Sequence, residues 1–76
     1  WSTLHFYAGK KDKISKGDIA GFLIQTGQLK KEWIGLIEVW DRDAYAAVLR
    51  THIREALREI AGKKIKKQSV RVFLLP

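Results

Sequence analysis

Lysine is the residue type whose number and spacing in this 76-residue chain most clearly predict a chemical role. Lys and Arg together number 15 against 8 Asp and Glu, which gives a formal net charge of +7. The excess lies in two segments: residues 9–16 contain four lysines and one aspartate, and residues 62–76 contain four lysines and one arginine without an acidic residue. Such dense ammonium groups neutralise phosphates, so the two segments predict a polyanionic partner if folding brings them together. Either segment alone is equally typical of a solvated surface.

The residue types that carry catalysis or hold metals form no comparable pattern. The chain has no Cys, which excludes disulfide frameworks, thiol catalysis and Cys-rich zinc sites. His5 and His52 lack the spacing to Asp, Glu or Ser that a proton relay needs, and His52 is typical of the first turn of a helix. Asp41 and Asp43 flank a chain reversal, where Asp is favoured because it hydrogen-bonds its own backbone. We therefore predict neither a catalytic nor a metal site.

Apolar periodicity in the first half of the chain predicts a strand, a helix and a second strand. Residues 3–7 alternate between apolar and polar with the period of a half-buried strand. Ser15 followed by Asp18 is a capping-box-like helix start, and Gly27 is a natural helix end. The N–H groups of this helix start could also contact a phosphate, although Asp18 competes for them. Residues 36–40 form the second predicted strand.

The second half predicts two strands around a helix. Residues 45–49 form the third strand, and Thr51 is the expected N-cap of the second helix. The apolar stripe of that helix has helical spacing and consists of Ile53, Ala56, Leu57, Ile60 and Ala61. Gly62 closes the helix, Ile65 lies in a short ribbon, and residues 70–75 alternate as the last strand.

This βαββαβ order predicts an α+β, ferredoxin-like fold of the RNA-recognition-motif type, with a four-stranded antiparallel sheet and two helices on one face. In that plan the first strand lies between the third and the fourth. Residues 8–16 leave the end of the first strand, and residues 62–69 lead into the start of the fourth, which runs antiparallel to it. We therefore expect the two basic segments to meet at one end of the sheet, which favours a polyanion site.

Strand alternation also predicts which side chains face the helices. The helix-covered face takes Leu4, Phe6, Ile37, Val39, Ala46, Val48, Val70, Val72 and Leu74. The open face carries His5, Tyr7, Glu38, Trp40, Tyr45, Ala47, Arg71 and Phe73. Aromatic rings and a basic side chain on an open sheet face are typical of proteins that bind single-stranded RNA. If this face is used, the expected contacts are Arg71, His5 and Tyr45. The alternative is that aromatic residues simply favour strands.

Length and composition set further bounds. A chain of 76 residues forms one domain and cannot enclose a deep substrate cavity. Hydrophobic residues make up 46%, too many for a disordered tail, yet no apolar run approaches the roughly 20 residues of a membrane span. We expect a folded cytoplasmic protein. The chain begins with Trp1 and has no signal pattern, which predicts that residues 1–76 are one domain cut from a longer protein.

Four segments carry a combination of motifs that is more specific than any of them alone. They read GKKDKI at residues 9–14, KGDIAGFL at 16–23, IGLIEVWDRDAYAAV at 34–48 and GKKIKK at 62–67. Together they resemble the C-terminal RNA-binding domain of DbpA-type bacterial DEAD-box ATP-dependent RNA helicases, which the related cold-shock helicases also carry. Trp33, Trp40 and Leu49-Arg50 depart from the expected pattern.

The resemblance implies an atypical RNA recognition motif attached to an ATP-driven helicase core. In the family this domain binds structured RNA, in the best-known members a hairpin region of large-subunit ribosomal RNA, and delivers the helicase to ribosome assembly intermediates. Members use the basic loop and the neighbouring helix surface beside the sheet or in its place. The resemblance implies no cofactor for this domain, since ATP and Mg²⁺ belong to the motor domain. By position it points to Lys10, Lys11, Lys13 and Lys16.

The complete set of predicted RNA-binding residues combines the two basic segments with the open sheet face: Lys10, Lys11, Lys13, Lys16, Lys63, Lys64, Lys66, Lys67, Arg71, His5 and Tyr45. Two other function classes stay open. Acylphosphatases share this fold, but they need an Arg in the first loop and an Asn nearby, whereas this loop has only Lys and the chain has no Asn. A protein-interaction module could use an edge strand or a patch of Trp1, Trp33 and Trp40, although Trp33 is also explained as a plug over the end of the core.

Overall fold

The described part of the chain, residues 1–75 of a computed structural model, contains six strands and two α-helices. In chain order these are β1 (Ser2–Phe6), α1 (Lys16–Gln25), β2 (Ile34–Val39), β3 (Ala44–Val48), α2 (Ile53–Ile60), β4 (Lys64–Ile65), β5 (Gln68–Ser69) and β6 (Val72–Leu74). Short 3₁₀ turns at Lys10–Asp12 and Lys31–Trp33 precede α1 and β2. Pro76, the last residue of the predicted domain, lies outside the described residues.

The main sheet has the strand order β2-β3-β1-β6 with antiparallel neighbours, which confirms the predicted ferredoxin-like plan. β4 and β5 pair as a separate ribbon between α2 and β6, as expected around Ile65. β6 is shorter than the predicted strand over residues 70–75. Pairing with β1 nevertheless continues beyond it, because Tyr7 N donates to Arg71 O and Leu75 N donates to Thr3 O, both at 2.9 Å.

The hydrophobic core lies between the sheet and the helices. The edge strands of the main sheet, β2 and β6, contribute none of its buried members, which are Leu4, Phe6, Ala8, Ile14, Ile19, Phe22, Leu23, Leu29, Ala44, Ala46, Val48, Ile53, Ala56, Ile60 and Ile65. Burying one large aliphatic or aromatic side chain stabilises the fold by roughly 1.5 to 3 kcal/mol. Ala8 precedes the first basic segment, Ile14 lies within it and Ile65 lies within the second, so both basic segments are anchored in the core.

The predicted helix-covered face is confirmed except at its edge. Ile37, Val39, Val70 and Val72 are partly buried and pack against the core. Leu74, also predicted to be covered, is 41% exposed. Leu74 lies opposite Leu4 and therefore on the predicted face, but its cover is incomplete because β6 is an edge strand and Leu74 borders an open groove that Ile53 of α2 also lines.

Helix α1 begins as predicted. The Ser15 hydroxyl accepts a hydrogen bond from Asp18 N at 3.2 Å, and the Asp18 carboxylate accepts from Ser15 N at 2.8 Å. This reciprocal capping satisfies two N–H groups at the start of the helix. The helix ends at Gln25, two residues before Gly27, and its 10 residues make it the longer of the two. Within residues 1–75, no helix is long and apolar enough to cross a membrane.

Helix α2 begins one residue later than predicted, so the expectation of Thr51 as its N-cap is wrong. His52 N donates to Leu49 O at 3.0 Å, which closes a turn that keeps Thr51 outside the helix. His52 is the N-cap residue, and its side chain makes no capping hydrogen bond. The apolar stripe is confirmed except at its last member, because Ala61 follows the helix and is exposed.

Candidate nucleic-acid interface

The basic loop, residues 9–16, is a closed turn and not a free segment. Gly9 N donates to the Asp12 carboxylate at 3.0 Å, and Ile14 N donates to Gly9 O at 3.1 Å. Ala8 and Ile14 hold its two ends in the core. The backbone of the loop is therefore fixed, while the side chains that carry its positive charge are exposed: Lys10, Lys11, Lys13 and Lys16.

The basic loop also docks on the turn between β2 and β3. Lys10 N donates to Trp40 O at 2.8 Å, and Lys11 N donates to Asp41 O at 2.9 Å. A Cβ at Gly9 would lie 2.1 Å from Trp40 O, so only glycine permits this approach of two backbones. Sequence reasoning missed this contact, and its one signal was the glycine that opens the basic segment.

The ribbon, residues 62–69, docks on the basic loop through two side-chain hydrogen bonds. The Gln68 side-chain amide donates to Asp12 O at 2.7 Å. The Lys66 ammonium donates to Lys13 O at 2.9 Å and lies 3.3 Å from the Asp18 carboxylate. The predicted meeting of the two basic segments is thus confirmed. We call the surface formed by the basic loop and the ribbon the basic end.

The lysines of the basic end are not equivalent. Lys66 is used by the fold itself, because its ammonium joins the ribbon to the basic loop and to helix α1. The other predicted lysines are exposed and take part in no ion pair within residues 1–75: Lys10, Lys11, Lys13, Lys16, Lys63, Lys64 and Lys67. These seven ammonium groups are available to an anionic ligand.

Three lysines of the basic end adopt a backbone conformation that lysine rarely takes. Lys13 has a φ of 61°, Lys66 of 49° and Lys67 of 67°, all in the left-handed region that favours glycine and asparagine. Lys13 ends the 3₁₀ turn, and the two ribbon residues form the turn between β4 and β5. All three lysines therefore stand at the tips of two tight turns and are exposed, while the Lys66 ammonium turns back to donate to Lys13 O.

Asp18, in the first turn of α1, lies beside the basic end. Hydrogen bonds from the Ser15 backbone and hydroxyl, together with the nearby Lys66 ammonium, hold the pKa of the Asp18 carboxyl below its ordinary value of 3.8. The carboxylate is thus committed to the start of α1 and to Lys66. The Asp18 carboxylate therefore occupies the Ser15 N–H at the helix start, where its competition with a phosphate stays a prediction.

The open face of the sheet has a different organisation, since its rings pack on one another. His5 pairs with Tyr45 on one side and with Phe73 on the other. The His5 and Tyr45 rings stack 4.6 Å apart at 15°, and Tyr7 meets the His5 ring edge-on at 4.5 Å. His5 Nε2 also lies 2.9 Å from the Asp43 carboxylate. The His5 side chain is only 17% exposed, so little of its ring is accessible to a base.

The more exposed groups on this face lie towards β6. Tyr7 and Phe73 are exposed, with ring centroids 5.0 Å apart, and neither was in the predicted set of RNA contacts. Arg71, which was predicted, is also exposed. It lies next to Tyr7, since Tyr7 N donates to Arg71 O. The sequence feature that indicates Tyr7 and Phe73 as possible RNA contacts is the strand alternation, which predicts that both lie on the open face.

The three tryptophans do not form one patch. Trp33 is partly buried against the core and stacks on His52 at 3.6 Å and 11°, with the Lys30 ammonium 5.4 Å from its ring centroid. This confirms its role as a plug. Trp1 is exposed next to Gly35 at the start of β2, whereas Trp40 is exposed beyond the end of that strand, at the basic end.

Comparison with known proteins decides the family. The family model described as DbpA RNA binding domain matches residues 3–73. The chain belongs to this family. It is also 36% identical over 74 residues to the ATP-dependent RNA helicase DbpA of Escherichia coli (strain K12). The aligned region is 97% of this chain but 16% of that helicase, so the chain spans a small part of the relative's length.

Membership in the DbpA RNA-binding family confirms the resemblance stated from the sequence and makes RNA the partner of this domain. It favours the RNA-binding interpretation over the acylphosphatase and protein-interaction alternatives. Among residues 1–75, no group of three or more His, Cys, Asp or Glu side chains is placed to hold a metal ion.

Proposed function

We propose that this domain binds structured RNA, in the first place ribosomal RNA, mainly through the basic end. The observation that carries the proposal is the docking of the ribbon on the basic loop through Gln68 and Lys66. This docking joins two basic segments, which are distant in sequence, into one surface. It supports a phosphate-binding role because exposed ammonium groups on a fixed backbone match phosphates that are themselves held at fixed spacing in folded RNA.

The proposed division of labour has two parts. The exposed lysines neutralise phosphates and release counterions, which supplies affinity and orientation with little sequence information. The open sheet face contributes less, through Arg71 and the exposed rings of Tyr7 and Phe73. His5 and Tyr45 have a mainly structural role in this proposal, because their rings stack on each other.

We further propose that the domain is the targeting module of a DEAD-box helicase and acts in ribosome assembly. The support is the similarity to the Escherichia coli helicase DbpA, of which the aligned region is 16%. In this proposal the basic end holds RNA while a helicase core on the same polypeptide, which supplies ATP and Mg²⁺ chemistry, acts on a neighbouring duplex.

The decisive test replaces three exposed lysines of the basic loop by glutamine, Lys10→Gln, Lys11→Gln and Lys13→Gln, which removes charge but keeps most of each side chain. We expect binding to a hairpin RNA from the large ribosomal subunit to weaken by at least about tenfold at moderate salt. The slope of log K against log salt should become shallower by roughly 2 to 3 units, since each lost phosphate contact contributes about 0.7 to 0.9. Fluorescence anisotropy at several salt concentrations measures both quantities.

The matched control removes three positive charges elsewhere, by Lys31→Gln, Arg54→Gln and Arg58→Gln, all exposed residues away from the basic end. This variant has the same net charge as the first and should retain most of the affinity. Equal losses in the two variants would show a net-charge effect without a defined site. Unchanged binding of the first variant, with an unchanged melting curve, would contradict the assignment of the basic loop.

A further inference from the structure

Trp40 is a large apolar side chain next to the basic end that is not part of the hydrophobic core. It is 59% exposed, although it lies in the region where two segments of backbone dock. Its main chain is held on both sides: Trp40 N donates to Asp43 O at 2.7 Å, and Trp40 O accepts from Lys10 N at 2.8 Å. The residue is thus fixed in place by its backbone, while its indole remains available to a ligand.

A surface groove of about 500 Å³ lies beside this indole. Its apolar lining residues are Trp40, Val39 and Ile14. Its volume is within the range of about 300 to 1,000 Å³ that small-ligand sites occupy. The remaining lining residues are polar or charged: Lys10, Ser15, Lys16 and Glu38. A flat apolar surface with charged groups at its border fits a nucleotide, which has an apolar ring face and an anionic phosphate.

The charged residues that line the groove favour one orientation of a bound nucleotide. Lys10, from the basic loop, and Lys16, from the first residue of α1, supply two ammonium groups. Glu38, from β2, supplies the one carboxylate among the lining residues. A phosphate is attracted by the lysines and repelled by Glu38, so a bound nucleotide is oriented with its phosphate towards the lysines and its base over the indole.

We propose that Trp40 stacks an unpaired nucleobase of the bound RNA in this groove, with the adjoining phosphate held by Lys10 and Lys16. The inference rests on the proposed function, because it adds a base-binding position to the phosphate-binding surface of the basic end. It differs from the sheet-face mode, since this position lies at the far end of β2 and uses neither His5 nor Tyr45. Stacking on an indole tolerates all four bases, so the position senses an unpaired base more than its identity.

The test uses two hairpin RNAs with the same stem. One has a single-stranded loop of adenosines, and the other has the same loop with abasic sites, which keep the phosphates but lack the bases. The domain is studied as wild type, Trp40→Ala and Trp40→Phe. Trp1→Ala is the matched control, because Trp1 is also an exposed tryptophan but lies at the other end of the sheet. Binding is measured by fluorescence anisotropy, and thermal melting checks that each variant is folded.

We expect Trp40→Ala to weaken binding to the adenosine-loop hairpin by about 5- to 150-fold, the effect of losing one base–aromatic stack. The same variant should bind the abasic-loop hairpin like wild type. Trp40→Phe should recover much of the lost affinity, since phenylalanine keeps a ring, and Trp1→Ala should behave like wild type on both hairpins.

Other results overturn the inference. If Trp40→Ala weakens binding to both hairpins equally, or to neither, Trp40 does not stack a base. A loss of binding in the basic-loop lysine variant, combined with a neutral Trp40→Ala, rejects the stacking position and leaves the phosphate surface intact. A wild-type domain that binds neither hairpin at low salt rejects both.

Discussion

The basic end and the open sheet face are neighbouring surfaces that are built in opposite ways. At the basic end, the basic loop is held by backbone groups, such as Lys10 N, which donates to Trp40 O. The ribbon joins the loop through the side chains of Gln68 and Lys66, and the other lysine side chains remain exposed without an ion pair in the described chain. On the sheet face the side chains themselves make the contacts, as in the stack of His5 on Tyr45. A surface held together by its backbone keeps its side chains for a ligand, and this is why we assign RNA binding mainly to the basic end.

The largest expected effect comes from disturbing the backbone contact that fixes the basic loop. In Gly9→Ala the new methyl group would lie 2.1 Å from Trp40 O, so the loop and the β2–β3 turn must separate. We expect a loss of about 3 kcal/mol or more in the free energy of unfolding, with weaker RNA binding in the fraction that folds. Urea unfolding measures the first effect and anisotropy the second.

The control for this variant is Gly21→Ala, because nothing lies within 4 Å of a Cβ at that position in the middle of α1. Alanine there should stabilise the domain by about 0.5 to 1 kcal/mol through its higher helix propensity. If Gly9→Ala is as stable as wild type, the basic loop is not held by its backbone, and the contrast between the two surfaces fails.

An intermediate effect is expected on the sheet face. His5→Ala removes the stack on Tyr45 and the contact with the Asp43 carboxylate, and should cost about 1 to 2 kcal/mol of stability. RNA affinity should change by less than about twofold, since exposed lysines elsewhere supply the phosphate contacts. Chemical unfolding and anisotropy on the same samples separate the two readouts.

His5→Phe refines this experiment, because it keeps a ring on Tyr45 and loses only the contact with Asp43. It should be more stable than His5→Ala. The opposite assignment, with the sheet face as the main platform, would be supported if a folded His5→Ala lost as much RNA affinity as the basic-loop lysine variant.

The smallest expected effect concerns acid stability at the basic end. The pKa of Asp18 is lower in the folded domain than its ordinary value of 3.8, so the carboxylate stabilises the fold above that value. This contribution is lost as the pH falls below 3.8 through the lower, folded-state pKa. Asp18→Asn should therefore be less stable than wild type at neutral pH, and the difference should shrink in acid. Urea midpoints along a pH series measure it, and a difference that does not depend on pH would refute the role of the charge.

Much of the fold could be predicted because local patterns report local structure. The capping pair of Ser15 and Asp18 was correct, since both partners lie within one helical turn. The meeting of the two basic segments followed from the βαββαβ order of elements, because the ferredoxin-like plan that this order predicts places the first strand beside the fourth and antiparallel to it. The N-cap of α2 was wrong because a turn between Leu49 and His52 competes with the cap expected at Thr51. Leu74 lies on the predicted face, opposite Leu4, but it is exposed because an edge strand receives less cover than a central one.

The details of the candidate site depended on contacts between distant segments, which periodicity does not report. Nothing in the spacing of Gly9 and Trp40 indicates that their backbones touch. His5 and Tyr45 were predicted as RNA contacts from their face of the sheet, but only the pairing register reveals that their rings stack on each other. Lys66 belonged to the predicted phosphate-binding set, yet its ammonium is engaged by Lys13 O and Asp18.

The left-handed lysines have a consequence for protein engineering. In the described chain, three of the four non-glycine residues with positive φ are Lys13, Lys66 and Lys67. Because glycine adopts this conformation without the roughly 1 kcal/mol penalty of other residues, selection for heat resistance alone should replace Lys13 and Lys67, whereas the contacts of the Lys66 ammonium favour keeping that lysine. Each such replacement also removes a positive charge from the basic end. Directed evolution for stability and directed evolution for RNA affinity should therefore diverge first at these positions.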